Sequence, residues 1–229
     1  LAMRADPKPF DDLAASLTKR SAGQRAPAAC VESVRNAFTM PFDRGDAREL
    51  ELFRELLVSD QSKALRHVFF AEREAAKVPG MPASVAAREV RRAAVIGAGT
   101  MGGGIAMCFA NAGIPVTLVE AAGDALTRGL ETIRKNYGNT VARGGLSAGD
   151  MEHRVGLITP STNLASVGDA DIVIEAVFEE MALKQTIFAE LDRIARPGAV
   201  LATNTSTLDV DEIARATRRP QDVLGMHFF

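Results

Sequence analysis

Three glycines, Gly97, Gly99 and Gly102, form the pattern G-x-G-x-x-G directly after a short apolar run, Ala93 to Ile96. The pattern alone is weak because glycine is common, but here a strand-like run precedes it and a helix-like stretch follows it. In that setting the first glycine permits a tight turn, the second lets a pyrophosphate approach, and the third lets the helix pack against the strand. The helix N-terminus then offers free N–H groups to phosphates. We therefore predict a dinucleotide-binding loop; the alternative is a helix–strand contact that is merely crowded.

An acidic residue stands where such a loop needs a partner. Glu120 ends the next apolar run and lies 23 residues after Gly97. A carboxylate at this spacing binds the adenosine ribose hydroxyls and repels a 2′-phosphate. Ala121 and Ala122 follow, with no basic side chain to accept that phosphate. The sequence therefore predicts NAD rather than NADP as the cofactor, although a solvated acid at a strand end would look the same.

From residue 91 onward, strand-like and helix-like stretches alternate. The predicted strands cover 93–96, 115–119, 155–159, 171–174, 199–203 and 223–226. The predicted helices between them cover 101–112, 124–142, 181–195 and 209–217. This alternation is typical of a parallel sheet with helices on both faces. We predict an α/β, Rossmann-type doubly wound fold with a mostly parallel sheet.

The first 90 residues show helical patterns and no convincing strand. Helices are predicted over 10–17 and 28–40, and two more between 48 and 77, the second capped by Ser59. Prolines break up the stretch 79–90. We therefore expect three parts: an all-helical segment at 1–78, a linker at 79–90 and the α/β domain at 91–229.

Composition excludes several classes of protein. The chain has 27 basic and 29 acidic residues, a balance that argues against nucleic-acid binding. No apolar run approaches the roughly 18 residues of a membrane span. Three scattered histidines and two distant cysteines show no metal-ligand spacing, so no metal site is predicted. Cys108, in an apolar stretch, is expected to be a buried, inert thiol.

Polar stretches at 174–179, 203–207 and 226–229 each follow a predicted strand, where open α/β sheets bind their ligands. With the glycine loop, they make residues 91–229 resemble the NAD-binding domain of the L-3-hydroxyacyl-CoA dehydrogenases. Residues 1–90 resemble the end of the crotonase-type enoyl-CoA hydratase part of the bifunctional fatty-acid oxidation enzymes. That second resemblance depends on Pro41-Phe42-Asp43, Ser59-Asp60-Gln61 and residues 64–70.

The resemblance implies roles for individual residues. Thr100 and Met101, with Gly97, Gly99 and Gly102, would contact the pyrophosphate through the backbone, and Glu120 would hold the ribose. Val177, Phe178 and Glu179 would line the nicotinamide side of the cofactor site, with Lys184 nearby. Ser206 would contact both nicotinamide and substrate, and His227 would be the catalytic base. Histidine suits that task because it titrates near neutral pH.

The resemblance implies NAD-dependent oxidation of (3S)-3-hydroxyacyl-CoA to 3-oxoacyl-CoA in β-oxidation, by an enzyme that also hydrates 2-enoyl-CoA. A 3-hydroxybutyryl-CoA or related 3-hydroxyacid dehydrogenase is one alternative, and a non-catalytic NAD-binding module is another. Without the resemblance, His227 in its apolar strand would more often be a hydrogen-bonded core residue. Ser206 has no G-x-S-x-G context, so a hydrolase is not expected.

The same resemblance implies an acyl-CoA substrate and either a homodimer or a thiolase-type partner, in a bacterial cytoplasm or, alternatively, a peroxisome. We expect the 229 residues to be a piece of a longer enzyme. The hydratase glutamates would then lie before Leu1, and a helical domain with the histidine's glutamate partner after Phe229. Such a piece should bind NADH and turn over slowly. The sequence does not predict the acyl chain length.

Overall fold

The computed structural model describes residues 6–82 and 84–229. The chain divides into two units, Leu1–Val85 and Ala86–Phe229. The predicted helical segment and linker include residues 1–5 and 83, which lie outside the described residues.

The described residues of the N-terminal unit form four helices. They are α1 (Lys8–Arg20), α2 (Arg25–Thr39), α3 (Phe42–Leu57) and α4 (Asp60–Ala75). Ser59 caps α4 as the sequence predicts, since its hydroxyl accepts a hydrogen bond from the Ser62 amide at 3.2 Å. Helix α3 begins at Phe42, directly after Pro41. Proline is tolerated at a helix start, where its missing N–H costs no intrahelical bond.

The apolar faces of these helices are largely open. Among the described residues of the N-terminal unit, the buried apolar side chains are Ala14 and Leu52. Leu50, Phe53 and Leu57, which the spacing places on one face of α3, are 45%, 59% and 45% exposed. The helical periodicity is thus confirmed, while these faces lack the cover that an apolar stripe normally has.

A six-stranded sheet forms the centre of the C-terminal unit. Its strands are β1 (Ala93–Ile96), β2 (Val116–Val119), β3 (Ile158–Ser161), β4 (Ile172–Glu175), β5 (Val200–Thr203) and β6 (Val223–Gly225). The strand order is β3-β2-β1-β4-β5-β6, and all five pairs are parallel. This is the order of a dinucleotide-binding doubly wound sheet. The predicted Rossmann-type fold is confirmed.

Helices cover both faces of this sheet. They are α5 (Thr100–Asn111), α6 (Gly123–Ala142), α7 (Ala148–Gly156), α8 (Met181–Ile194) and α9 (Val210–Ala214), with short 3₁₀ turns at Leu164–Val167 and Pro220–Asp222. Val95 and Ile174 face one core with α5 and α6, while Ala94 and Val173 face the other with α8 and α9. The alternation follows from the two-residue period of a strand.

One predicted strand boundary is wrong. Residues 155–159 were expected to form a strand, but α7 extends to Gly156 and β3 begins at Ile158. Ser147 starts α7, since its hydroxyl accepts a hydrogen bond from the Asp150 amide at 3.0 Å. The S-x-x-D pattern of a capping box was the available signal.

Cys108 is exposed rather than buried. The apolar stretch around it forms α5, whose buried face carries Ile105 and Ala106. Cys108 lies one turn from exposed Gly104, on the opposite face. In residues 6–82 and 84–229, no helix is both long and apolar enough to span a membrane.

Candidate active site

The carboxyl ends of the central strands line up in one row. The terminal register pairs join Val119 to Ile96, Ile96 to Glu175, Glu175 to Thr203 and Thr203 to Gly225. The chain runs outward from β1 to β2 and β3, and then returns to β4 on the other side of β1. That reversal is the switch point at which open α/β sheets bind their ligands. The glycine loop, Glu120 and the three polar stretches therefore share one edge.

Two glycines of the loop have no room for a side chain. Gly97 has a φ of 100°, and a Cβ there would lie 2.6 Å from the Ala176 carbonyl oxygen. A Cβ on Gly102 would overlap the Gly97 carbonyl oxygen. Around Gly99, by contrast, no atom lies within 4 Å of an added Cβ. The loop is thus closely packed on the protein side and open beside Gly99, a shape that accommodates a pyrophosphate.

Gly129 packs against the loop, although it lies outside the G-x-G-x-x-G pattern. This residue is buried in α6, and a Cβ there would lie 2.5 Å from the carbonyl oxygen of Ala98. The missing side chain lets α6 pack directly against the loop. A glycine within a helix costs about 1 kcal/mol relative to alanine, which was the only signal of its role.

Glu120 lies beside the same loop. One carboxylate oxygen accepts a hydrogen bond from the Ala98 amide at 3.1 Å, and the other from the Ala122 amide at 3.3 Å. A carboxylate has about four acceptor sites, so capacity remains for ribose hydroxyls. The loop and Glu120 together therefore fit the adenosine half of a dinucleotide.

Beyond the switch point, a buried carboxylate joins three elements. Glu175, at the end of β4, is fully buried. It accepts hydrogen bonds from Lys184 Nζ at 2.7 and 2.9 Å, from Thr203 Oγ1 at 2.7 Å and from the Val177 amide at 2.8 Å. Sequence reasoning missed this role, because a glutamate after an apolar strand resembles a surface residue.

Lys184 has no exposed surface. Its ammonium pairs with Glu175 and lies 3.4 Å from Glu179 Oε2. The Lys184 ammonium is thus held by carboxylates within the protein. Of the residues expected on the nicotinamide side, Phe178 is 85% exposed and Val177 packs partly against the core of α8.

Glu179 holds the loop after β5. One of its carboxylate oxygens accepts hydrogen bonds from Thr205 Oγ1 at 2.5 Å, the Ser206 amide at 2.8 Å and the Thr207 amide at 3.2 Å. Burial alone would raise its pKa. These hydrogen bonds and the charge of Lys184 outweigh burial and lower the pKa of Glu179 from 4.5 to about 2. The carboxylate is therefore charged at neutral pH.

Ser206 and His227 are in contact beyond the carboxyl ends of β5 and β6. Ser206 Oγ lies 3.0 Å from His227 Nε2, and both side chains are exposed. The Phe229 ring packs edge-on against the imidazole, with centroids 4.6 Å apart. Asn204 Oδ1 accepts a hydrogen bond from the Phe228 amide at 2.8 Å and so ties the two segments together. The fold thus places an imidazole and a hydroxyl at the edge that carries the glycine loop.

No group of three or more histidine, cysteine or acidic side chains suited to a metal ion occurs in residues 6–82 and 84–229. The other histidines, His67 on α4 and His153 on α7, are exposed.

This fold and this edge define a dinucleotide-binding domain of an oxidoreductase. The family described as 3-hydroxyacyl-CoA dehydrogenase, NAD binding domain, matches residues 92–229. The chain therefore belongs to the 3-hydroxyacyl-CoA dehydrogenase family, and NAD is the cofactor of this domain.

Named relatives agree with that assignment. The peroxisomal bifunctional enzyme of Danio rerio is 43% identical over 225 residues, covering 96% of this chain and 30% of its own length. The solved 3-hydroxybutyryl-CoA dehydrogenase of Escherichia coli is 38% identical, with a TM-score of 0.61, over 62% of this chain and 30% of that one. The dehydrogenase part of multifunctional enzyme 1 from C. elegans is 31% identical, with a TM-score of 0.61, over 67% and 36%.

The resemblance to bifunctional β-oxidation enzymes is therefore confirmed, and the first of these matches includes the N-terminal helices. The chain spans about 30% of the length of the curated relatives.

Proposed function

We propose that the full-length protein oxidises (3S)-3-hydroxyacyl-CoA to 3-oxoacyl-CoA with NAD in fatty-acid β-oxidation and also hydrates 2-enoyl-CoA. The observation that carries the dehydrogenase part is the contact between Ser206 Oγ and His227 Nε2 at the switch-point edge. An imidazole and a hydroxyl, placed beside an NAD-binding loop, suit the removal of a proton from an alcohol.

The chain's own residues divide the work. NAD, when bound, supplies a hydride acceptor for the hydrogen on C3. The backbone of Gly97, Gly99 and Gly102, with Thr100 and Met101, would hold its pyrophosphate, and Glu120 its ribose. His227 Nε2 would accept the proton of the 3-hydroxyl as the carbonyl forms, which leaves a 3-oxoacyl-CoA, NADH and an imidazolium that releases the proton. Ser206 would orient the imidazole and the substrate oxygen.

We also propose the boundaries expected from the sequence. Residues 1–78 would be the end of a crotonase-type hydratase domain, 79–90 a linker and 91–229 the NAD-binding domain. The match of a bifunctional enzyme over 96% of the chain supports this division. The exposed apolar faces of the N-terminal helices support it too, because such faces normally pack against a larger body.

A second candidate is a dehydrogenase specific for 3-hydroxybutyryl-CoA. The likeness to the Escherichia coli enzyme of that name favours it. A non-catalytic NAD-binding module is disfavoured, since such a module has no need of the Ser206–His227 pair. The homodimer or thiolase-type partner stays a prediction. The bacterial cytoplasm and the alternative of a peroxisome also stay predictions, and the named relatives include a peroxisomal and a bacterial protein.

Absorbance of NADH during turnover tests the proposal. The full-length protein should form NADH from NAD and (3S)-3-hydroxyacyl-CoA, with the (3R) enantiomer as the control that gives none. A panel of acyl chain lengths separates the first candidate from the second. Failure to form NADH from any chain length, or equal rates for the two enantiomers, would contradict the proposed reaction.

A further inference from the structure

Glu175 and Lys184 form a buried ion pair at the carboxyl end of β4. Both side chains are fully buried, and four hydrogen bonds converge on the Glu175 carboxylate. These bonds join β4, the loop that follows it, β5 through Thr203, and α8 through Lys184. The pair therefore lies where the segments that carry Glu179 and Ser206 leave β4 and β5.

Stability is a weak reason for such a pair. Removing two charges from water has a large cost in free energy, and apolar residues of similar volume are often as stabilising. Apolar residues would not supply directional hydrogen bonds. Here the single ammonium of Lys184 lies between two carboxylates, 2.7 Å from Glu175 and 3.4 Å from Glu179.

A continuous path of contacts leads from this pair to the histidine. Glu179 accepts the amide hydrogens of Ser206 and Thr207 at 2.8 and 3.2 Å. Ser206 Oγ then lies 3.0 Å from His227 Nε2. The Asn204 amide also donates to the Glu175 carbonyl oxygen at 2.8 Å. Strand β4 is therefore joined twice to the loop after β5, residues 204–207, which we call the serine loop.

We propose that Glu175 and Lys184 are positioning residues for the reaction: their buried ion pair fixes Glu179 and, through it, the loop that presents Ser206 to His227. This inference rests on the proposed function. It adds that buried residues of β4 and α8 fix the position of the serine loop. Lys184 then acts on the site through Glu179.

A charge-free replacement of the pair is the sharpest test. The double variant Glu175→Gln/Lys184→Met keeps a similar side-chain volume and removes both charges and the two hydrogen bonds from Lys184 Nζ, while the Thr203 hydroxyl and the Val177 amide remain as donors. Glu190→Gln, an exposed position on the same helix, is the matched control. Thermal melting of the full-length protein shows whether each variant folds. Should the double variant not fold, Thr203→Val takes its place, since it removes only one hydrogen bond to Glu175.

Two readouts decide the inference. Amide hydrogen exchange at Ser206 and Thr207 should become about tenfold faster, because Glu179, which accepts their hydrogen bonds, is no longer held in place. Exchange of the β1 amides should stay unchanged. The kcat should fall by about tenfold, with the KM for NAD changed by less than about threefold, since the glycine loop and Glu120 are untouched.

Unchanged exchange at Ser206 and Thr207, or an unchanged kcat in a folded variant, would overturn the inference even if the melting temperature fell. A wild-type enzyme that forms no NADH would contradict the proposed function instead. The exchange measurement would still decide whether the pair holds the serine loop.

Discussion

At Gly102, a hydrogen atom in place of a side chain determines how closely α5 approaches β1. A Cβ there would meet the Gly97 carbonyl oxygen, which is backbone and cannot swing aside. Gly104 lies on the same helix, where an added Cβ has no atom within 4 Å. The two glycines therefore provide a matched pair, one required by packing and one free of it.

We predict opposite effects of alanine at these two sites. Gly102→Ala should destabilise the domain by about 3 kcal/mol, because the backbone must shift, and it should abolish NADH binding. Gly104→Ala should be neutral or stabilise by about 0.5–1 kcal/mol through helix propensity. Urea unfolding and NADH titration measure both quantities. A Gly102→Ala protein with wild-type stability and affinity would refute the packing argument.

Glu120 gives a second prediction at this scale. Glu120→Ala should weaken NADH binding about tenfold through loss of charged hydrogen bonds to the ribose, and should weaken adenine alone much less. Calorimetric titration checks this, with Glu131→Ala at an exposed position of α6 as the control. An unchanged NADH affinity would remove Glu120 from the cofactor site.

Residues differ in how far the sequence reveals them. The positions of Gly97, Gly102 and Glu120 were predictable because their spacing along one strand–helix–strand unit is fixed by geometry. Gly129 and Glu175 were not, because their reasons lie in contacts with Ala98 and Lys184, which only the folded chain brings together. Cys108 was assigned to the wrong face, since an apolar stretch without a clear period does not show which side is buried.

Among the elements, side chains join the ends of β4, β5 and β6 in addition to the backbone pairing of the sheet. Glu179 receives three hydrogen bonds from the loop after β5, and Asn204 receives one from the segment after β6. The strands were predictable from short apolar runs bounded by turns, whereas these ties were not. The predicted start of a strand at residue 155 was wrong because the capped helix α7 extends to Gly156, through the beginning of the apolar run.

The low pKa of Glu179 makes a pH-dependent prediction. A carboxyl group whose pKa is lowered on folding, here from 4.5 to about 2, stabilises the fold above pH 4.5, and this contribution is lost as the pH falls toward 2. Glu179→Gln should therefore cost about 1 kcal/mol at pH 7, a modest value because the side chain is 39% exposed.

The difference between the Glu179→Gln variant and wild type should shrink steadily between pH 4.5 and pH 2. Urea unfolding at several pH values measures it. A difference that stays constant across that range, or grows as the pH falls, would show that the Glu179 carboxylate is not held in its charged form.

At the scale of the molecule, the two units differ in their cores, since the buried apolar side chains in the described part of the N-terminal unit are Ala14 and Leu52. The sheet of Ala86–Phe229 is covered on both faces, which suits a domain that must hold a cofactor at one edge. The helices of Leu1–Val85 leave apolar faces exposed. The helical periodicity of these residues was predictable from the sequence. Periodicity does not show which other protein surface packs against the exposed faces.

The site itself is a property of the whole sheet, since the glycine loop follows β1 and the serine and histidine follow β5 and β6. If that edge is a dehydrogenase site, cofactor binding and proton transfer belong to separate strands and should be separable by mutation. His227→Gln in the full-length protein is the most direct measurement. We predict that kcat for (3S)-3-hydroxyacyl-CoA falls about 10²–10⁴-fold while NADH affinity stays unchanged. Retention of the wild-type rate would contradict the assignment of His227 as the base and, with it, the proposed reaction.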